Sequence, residues 1–124
     1  MDVVVELGRG DGSAAWALTI VSAGIWMAAT LYPKHVVDEV FSGGNFRTAS
    51  VLAPHKVKTK RVDGGVLIEE GSWSFNSGVY RAQWDILSIP IFDESGQFID
   101  SGSALIPISQ VTLLHDWDTI GPAR

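Results

Sequence analysis

Nineteen consecutive residues, Ala14 to Tyr32, carry no formal charge. A segment that long and that apolar has two stable fates: a helix buried along most of its surface, or a membrane span. Ala, Gly, Ser and Thr make up about half of it, which keeps its mean hydropathy modest and favours the buried helix, over Ala14 to Leu31. Asp11 or Ser13 supplies its N-cap. Pro33 stops it and suits the first turn of a second helix, Pro33 to Phe41, with Val36, Val37, Val40 and Phe41 on one side. Ser42-Gly43-Gly44-Asn45 ends that helix. Upstream, Asp2 to Leu7 is a short apolar run, a helix end or a strand, broken by Gly8-Arg9-Gly10-Asp11-Gly12.

Past Asn45 the apolar period changes from helical to alternating. Strands are expected at Phe46 to Leu52, through the basic stretch Lys56 to Arg61, at Val66 to Glu70 continuing through Trp73 to Phe75, at Ala82 to Phe92 and at Gln97 to Ile106. Pro107 interrupts, and Val111 to Trp117 closes the pattern. Asp63-Gly64-Gly65 and Asp93-Glu94-Ser95-Gly96 are hairpin turn signals, since Gly, Asp and Asn tolerate positive φ. Helices segregated from strands predict an α+β chain with N-terminal helices before an antiparallel sheet.

Charge and composition narrow the partners. A net charge of −5 and a pI near 4.9 argue against nucleic acid and anionic membrane surfaces. With no Cys there is no disulfide, thiolate nucleophile or cysteine zinc site. The chain lacks a basic leader, and a cytoplasmic location is expected. His35, His55 and His115 show no ligand spacing, and on a strand His115 and Trp117 would face away from Asp116 and Asp118, so no metal is expected. Gly8 to Ser13 imitates a dinucleotide fingerprint, but Ser13 stands where the third Gly or Ala belongs, and no second parallel strand follows; a loop and helix cap is the expected role. Lys56, Lys58 and Lys60 share one strand face and read as guards of an exposed edge.

The strongest candidate for chemistry is Gly71-Ser72-Trp73-Ser74-Phe75-Asn76-Ser77-Gly78, with Trp84 six residues on. It joins large rings to a small, polar, Gly-terminated loop. Rings supply a stacking surface, and hydroxyls and free backbone N–H groups supply hydrogen bonds, which suits a flat aromatic ligand. The residues alone leave this reading level with a plain strand and turn whose Trp73 and Phe75 belong to the core.

The order of motifs goes further. Gly10-Asp11-Gly12-Ser13-Ala14-Ala15-Trp16, Trp26, Val37-Asp38-Glu39-Val40-Phe41, Ala53-Pro54, Val62-Asp63-Gly64-Gly65, the Gly71 to Gly78 run, Trp84, Leu105-Ile106-Pro107 and Asp116 to Gly121 follow one another along nearly the whole chain. As an ordered set they resemble the flavin-dependent two-component monooxygenases of the acyl-CoA dehydrogenase fold, hydroxylases of aromatic, steroid-derived, polyketide and amino-sugar substrates. The resemblance implies the end of an N-terminal helical domain at 1–45 and a β-barrel-like middle domain at 46–124, truncated before the C-terminal bundle that usually carries a catalytic base. It implies a reduced flavin, FMNH2 or FADH2, delivered by a flavin reductase in trans, and a homo-oligomeric parent. It places Ser50, Pro54, Trp73, Phe75, Asn76, Ser77 and Gly78 near the flavin, and Trp26 and Arg81 near the substrate. Arg81 stands where relatives often carry His, and Lys56 where many carry Gly; Arg81 would suit an anionic group. An acyl-CoA dehydrogenase fragment and a non-enzymatic β-domain that binds a ligand or partner are the alternatives. The 124 residues alone are expected to bind flavin weakly and not to turn over.

Overall fold

A computed structural model describes residues 2–44 and 46–115. Three helices come first: α1 (Asp2–Gly10), α2 (Gly12–Leu31) and α3 (Lys34–Phe41). Five strands follow: β1 (Thr48–Val51), β2 (Lys56–Val62), β3 (Gly65–Ser72), β4 (Trp84–Phe92) and β5 (Phe98–Pro107). Short 3-10 helices at Val79–Arg81 and Ile108–Gln110 flank the last two strands. The chain is α+β, as its period change predicts.

The first residues resolve as helix. Gly8 packs close to Ala15, so the glycines finish α1 instead of breaking it. The Val-rich run before them is helical, which removes the strand a dinucleotide fingerprint requires. Asp11 caps α2: its carboxylate accepts from the N–H groups of Ser13 at 2.8 Å and Ala14 at 3.1 Å. Pro33 is the cap residue before α3, one position earlier than the sequence reading puts it.

α2 meets the length and composition of a membrane span, and only a minor part of it is buried. Its buried residues are small: Ala15, Gly24 and Ala28. Gly24 lies against Thr48 so closely that a Cβ there would collide with the threonine hydroxyl. The small face is what lets α2 seat on β1, and Tyr32 ties its end to the sheet by donating to the Ser103 carbonyl at 3.2 Å.

Two sheets form. One is three-stranded, in the order β1-β4-β5, and the other is the β2–β3 hairpin. β1 runs parallel to β4, with Thr48 opposite Trp84, Ala49 opposite Asp85, Ser50 opposite Ile86 and Val51 opposite Leu87. This corrects the expectation of a wholly antiparallel sheet. A whole hairpin separates the two strands, and a connection that long can bring the chain back in the same direction. Neither sheet closes among the described residues, so the barrel-like form is not seen there. β4 is the centre of the core: Asp85, Ile86, Leu87 and Ile89 are buried, along with Ala49 and Val51 of β1. Each fully buried aliphatic side chain contributes about 1.5–3 kcal/mol.

Two further expectations fail at strand ends. β3 stops at Ser72 and does not continue through Phe75. The Trp73 ring folds back over Gly71, where a Cβ would run into it, and Phe75 takes a left-handed φ of 60°. Residues 111–115 form no strand, and the remainder of the expected Val111 to Trp117 strand, with the Asp116 to Gly121 motif, lies outside the described residues. Both turn signals hold, with Gly64 at φ 79° and Gly96 at φ 81°.

Candidate functional site

The Trp73–Gly78 loop is bound to β4 at two points. The Trp73 indole N–H donates to the Ser88 carbonyl at 2.8 Å, and the Asn76 side-chain amide donates to the Asp85 carboxyl. The loop then turns at Gly78, φ 84°, into the 3-10 helix Val79–Arg81. That helix sits on β1 through Ala49, Val79 and Ala82, with Ile108 and Leu113 packed beside them. Strand alternation puts Ala49 and Asp85 on this face, and Thr48, Ser50 and Ile86 on the face toward α2.

β4 residues 85–88 gather much of the expected site. Asn76 reaches Asp85, Ser50 pairs with Ile86, and Trp73 reaches Ser88. Pro54 is tied only indirectly: the N–H of the next residue, His55, donates to the carbonyl of Ser72, which precedes Trp73, at 3.1 Å. Within the loop the roles divide. Trp73 and Asn76 are half-buried and spend their donors on the protein, whereas Ser74, Phe75, Ser77 and Gly78 are exposed. The N–H groups of Ser77 and Gly78 donate to no carbonyl among the described residues. Beside the Ser77 hydroxyl, they form a row of available donors on an edge without a Cβ at Gly78. That is a donor set for a flat, acceptor-rich ring such as a flavin, so the residues present fit that group.

Arg81 ends the 3-10 helix with its side chain exposed, three residues from Gly78. Trp26 is not brought to this place. It is two residues, or about 200° of helix, from Gly24, which faces β1, and it is 65% exposed. Two shallow depressions lie elsewhere, one along α1 and one between the hairpin turns, and neither includes residues 50–54 or 73–78. No group of three potential metal ligands gathers among the described residues.

The sequence reading missed Asp85. It is fully buried, and burial pushes its carboxyl pKa up against the opposing hydrogen bonds from Asn76 and the Ile86 N–H. The signal was present: Asp85 is the only charged residue in the nine of β4, Trp84–Phe92. An acid inside an apolar strand needs a partner, and the polar loop beside it supplies one. Gln83 was missed too. Its side-chain oxygen accepts from the Arg47 N–H at 2.9 Å, which holds the entry to β1 against the entry to β4.

No protein-family model matches the sequence. Individual proteins do. The chain is 33% identical over 111 residues to the oxygenase subunit HsaA of a flavin-dependent monooxygenase from Mycobacterium tuberculosis, covering 89% of this chain and 27% of that protein. It is 27% identical over 123 residues to indole-3-acetate monooxygenase from Pseudomonas putida, covering 97% of this chain and 30% of that one. Among solved structures, XiaF from Streptomyces in complex with FADH2 and glycerol superposes with a TM-score of 0.81 at 29% identity, over 97% of this chain and 30% of that chain. The chain thus spans less than a third of the length of these relatives. By sequence and by fold it is similar to one part of these flavin-dependent monooxygenases.

Proposed function

We propose that this chain is the flavin-edge portion of a reduced-flavin monooxygenase that hydroxylates an aromatic or polyketide-like small molecule. The observation that carries the reading is the Trp73–Gly78 loop: anchored inward at Trp73 and Asn76, open outward at Ser77 and Gly78. It is supported by the 33% identity to a flavin-dependent oxygenase subunit and by a likeness to a structure holding FADH2. The relatives are named as monooxygenases, which favours this reading over an acyl-CoA dehydrogenase. In this proposal residues 1–45 end a helical domain and 46–124 belong to a middle β-domain of the acyl-CoA dehydrogenase type.

When bound, the reduced flavin, FMNH2 or FADH2, supplies the electrons that activate oxygen. The protein's share is placement. Ser77 and Gly78 donate to the ring edge, and the Trp73 and Phe75 rings offer apolar surface; Ser50, on the α2 face of β1, and Pro54 are assigned to the flavin by resemblance alone. Arg81 is assigned to an anionic group of flavin or substrate. Trp26, on the outer face of α2, is left without a role at this edge. A flavin reductase in trans, a homo-oligomeric parent and a cytoplasmic location belong to the same proposal.

The test is amide NMR of the chain titrated anaerobically with FMN and FAD, oxidised and reduced. Weak saturable binding is expected, with Kd on the order of 0.1–1 mM because one edge of contacts is offered without enclosure. Shifts should be confined to residues 50–54 and 71–81. Saturable shifts centred elsewhere, or none in a folded chain, would overturn the assignment of this edge.

A further inference from the structure

Three buried side-chain oxygens lack a hydrogen-bond partner among the described residues: Thr48 Oγ1, Asn76 Oδ1 and Asp85 Oδ1. Thr48 faces α2 at Gly24. The other two belong to a single contact, in which the Asn76 amide donates to Asp85 Oδ2. An ionised carboxylate can only accept, and an amide brings one acceptor of its own, so the charged pair has more acceptors than it can satisfy. Burying both surplus oxygens costs their hydration without return. One proton on Asp85 changes the count: the acid becomes a donor, and the amide oxygen is its acceptor.

Among the described residues no charged side chain packs against Asp85; besides Asn76, only the Ile86 N–H favours the ionised form. β1 (Thr48–Val51) and α2 (Gly12–Leu31) contain no titratable side chain, and β5 presents Leu105, Ile106 and Pro107 opposite this end of β4. The 3-10 helix contributes Tyr80 and Arg81, and the segment packed on it contributes His115, stacked on Tyr80; all three are exposed. β2 reaches β4 where Thr59 donates to the Pro90 carbonyl, and its Lys58 and Lys60 are exposed, Lys58 being paired with Glu69.

We propose that Asp85 is a positioning residue of the flavin edge: as the neutral acid it forms a buried acid–amide pair with Asn76, and this pair fixes Ser77 and Gly78 against β4. What the edge is for rests on the function proposed above; the pair itself does not. The Asn76 amide is thereby committed inward, and it serves the ligand only by holding the two residues that follow it. Burial raises the Asp85 pKa, in keeping with this arrangement.

The experiment is a pH titration of the chain labelled with carbon-13 at aspartate Cγ, joined to amide spectra and FAD titrations of Asp85→Asn and Asp85→Ala. The ordinary aspartate value is about 3.9. Asp85 should hold its proton through that range and lose it at higher pH. Asp85→Asn, a neutral side chain of the same shape, should leave the Ser77 and Gly78 resonances in place and FAD affinity within about threefold. Asp85→Ala should displace those resonances and weaken FAD binding about tenfold, as loss of one hydrogen-bonded support predicts. Titration of Asp85 at or below the ordinary aspartate value would sink the proposal, as would displacement by Asp85→Asn as large as by Asp85→Ala. If Asp85→Ala fails to fold, the wild-type titration still decides. Absence of any flavin-dependent shift in the wild-type chain would instead defeat the flavin reading, leaving the pair to be judged by the titration and the resonance positions.

Discussion

α2 and β4 are both apolar, and they meet opposite fates. α2 has no charged residue, yet it buries only Ala15, Gly24 and Ala28, while Trp16 and Trp26 are each 65% exposed. β4 contains a proline, a serine and an aspartate, yet Asp85, Ile86, Leu87 and Ile89 are all buried. The difference lies in neighbours. β4 has β1 on one side, β5 on the other, and the Trp73–Gly78 loop and β2 against it. α2 has α1 and β1, and it meets β1 through its smallest residues. Hydropathy states which surface gains from leaving water; only the topology states which surface is covered.

The largest test of that contrast is truncation on either side of it. Ile86→Ala and Leu87→Ala should each cost about 2–5 kcal/mol, because they open cavities in a packed centre. Trp26→Ala, with a larger side chain but an exposed one, should stay within about 0.5 kcal/mol. Urea unfolding with unchanged m-values reads both. Equal losses at Leu87 and Trp26 would mean that the outer face of α2 is covered after all. Gly24→Ala comes next, at about 1–3 kcal/mol, since its new methyl meets the Thr48 hydroxyl. Adding Thr48→Ala should recover most of that loss, as the Thr48 hydroxyl is buried without a partner. A double-mutant cycle showing simple additivity would refute the contact. Trp73→Phe should cost about 1 kcal/mol for the lost bond to the Ser88 carbonyl.

Protonation separates the two ends of β4 with opposite signs. The Asp85 pKa is raised in the folded chain by burial, so the folded state holds this proton more tightly than the unfolded one. Its contribution to stability is full below the unfolded value of about 3.9, and is lost as pH rises through the raised native value. Asp93, just past the other end, is lowered by hydrogen bonds from Ser95 and the Gln97 N–H. Its contribution is present above the unfolded value and is lost as pH falls through the lowered native one. Stability profiles of Asp85→Asn and Asp93→Asn should therefore differ from wild type with opposite slopes. A wild-type-like slope in Asp85→Asn would remove Asp85 as the source of the alkaline loss.

Sequence pattern made α2, α3, both glycine turns and the α+β class legible, because caps, prolines and the change of period are local signals. Gly24 and Asp85 show where that reading stops. Gly24 looked like one small residue among many, and its purpose appears only when Thr48, from a different element, comes to rest on it. Asp85 was visible as an acid in an apolar strand, but its partner lies nine residues back, across the turn at Gly78 and a short 3-10 helix. The parallel pairing of β1 with β4 depends on a connection across residues 52–83, a distance no local pattern encodes. Trp73 to Gly78 was picked out as a unit from its residue types. Its division into inward anchors and outward donors came from two contacts with β4.

The β2–β3 hairpin should show the smallest effect, and for a reason that extends the same contrast. Apart from Thr59 its residues are exposed or half-buried, and its ion pairs, Lys58–Glu69 at 2.9 Å and Lys56–Glu70 at 3.7 Å, lie at the surface. Such pairs gain little over hydration and are screened by salt. Lys58→Gln should leave the urea midpoint unchanged at both low and high ionic strength. Charge on a two-stranded ribbon opposes pairing with another chain. Lys58→Gln combined with Lys60→Gln should therefore raise the concentration-dependent self-association seen by sedimentation, with the unfolding midpoint still in place. A midpoint that drops at low salt and recovers at high salt would mean that the hairpin is held by its charges, and that covered neighbours are not the only thing deciding stability in this fold.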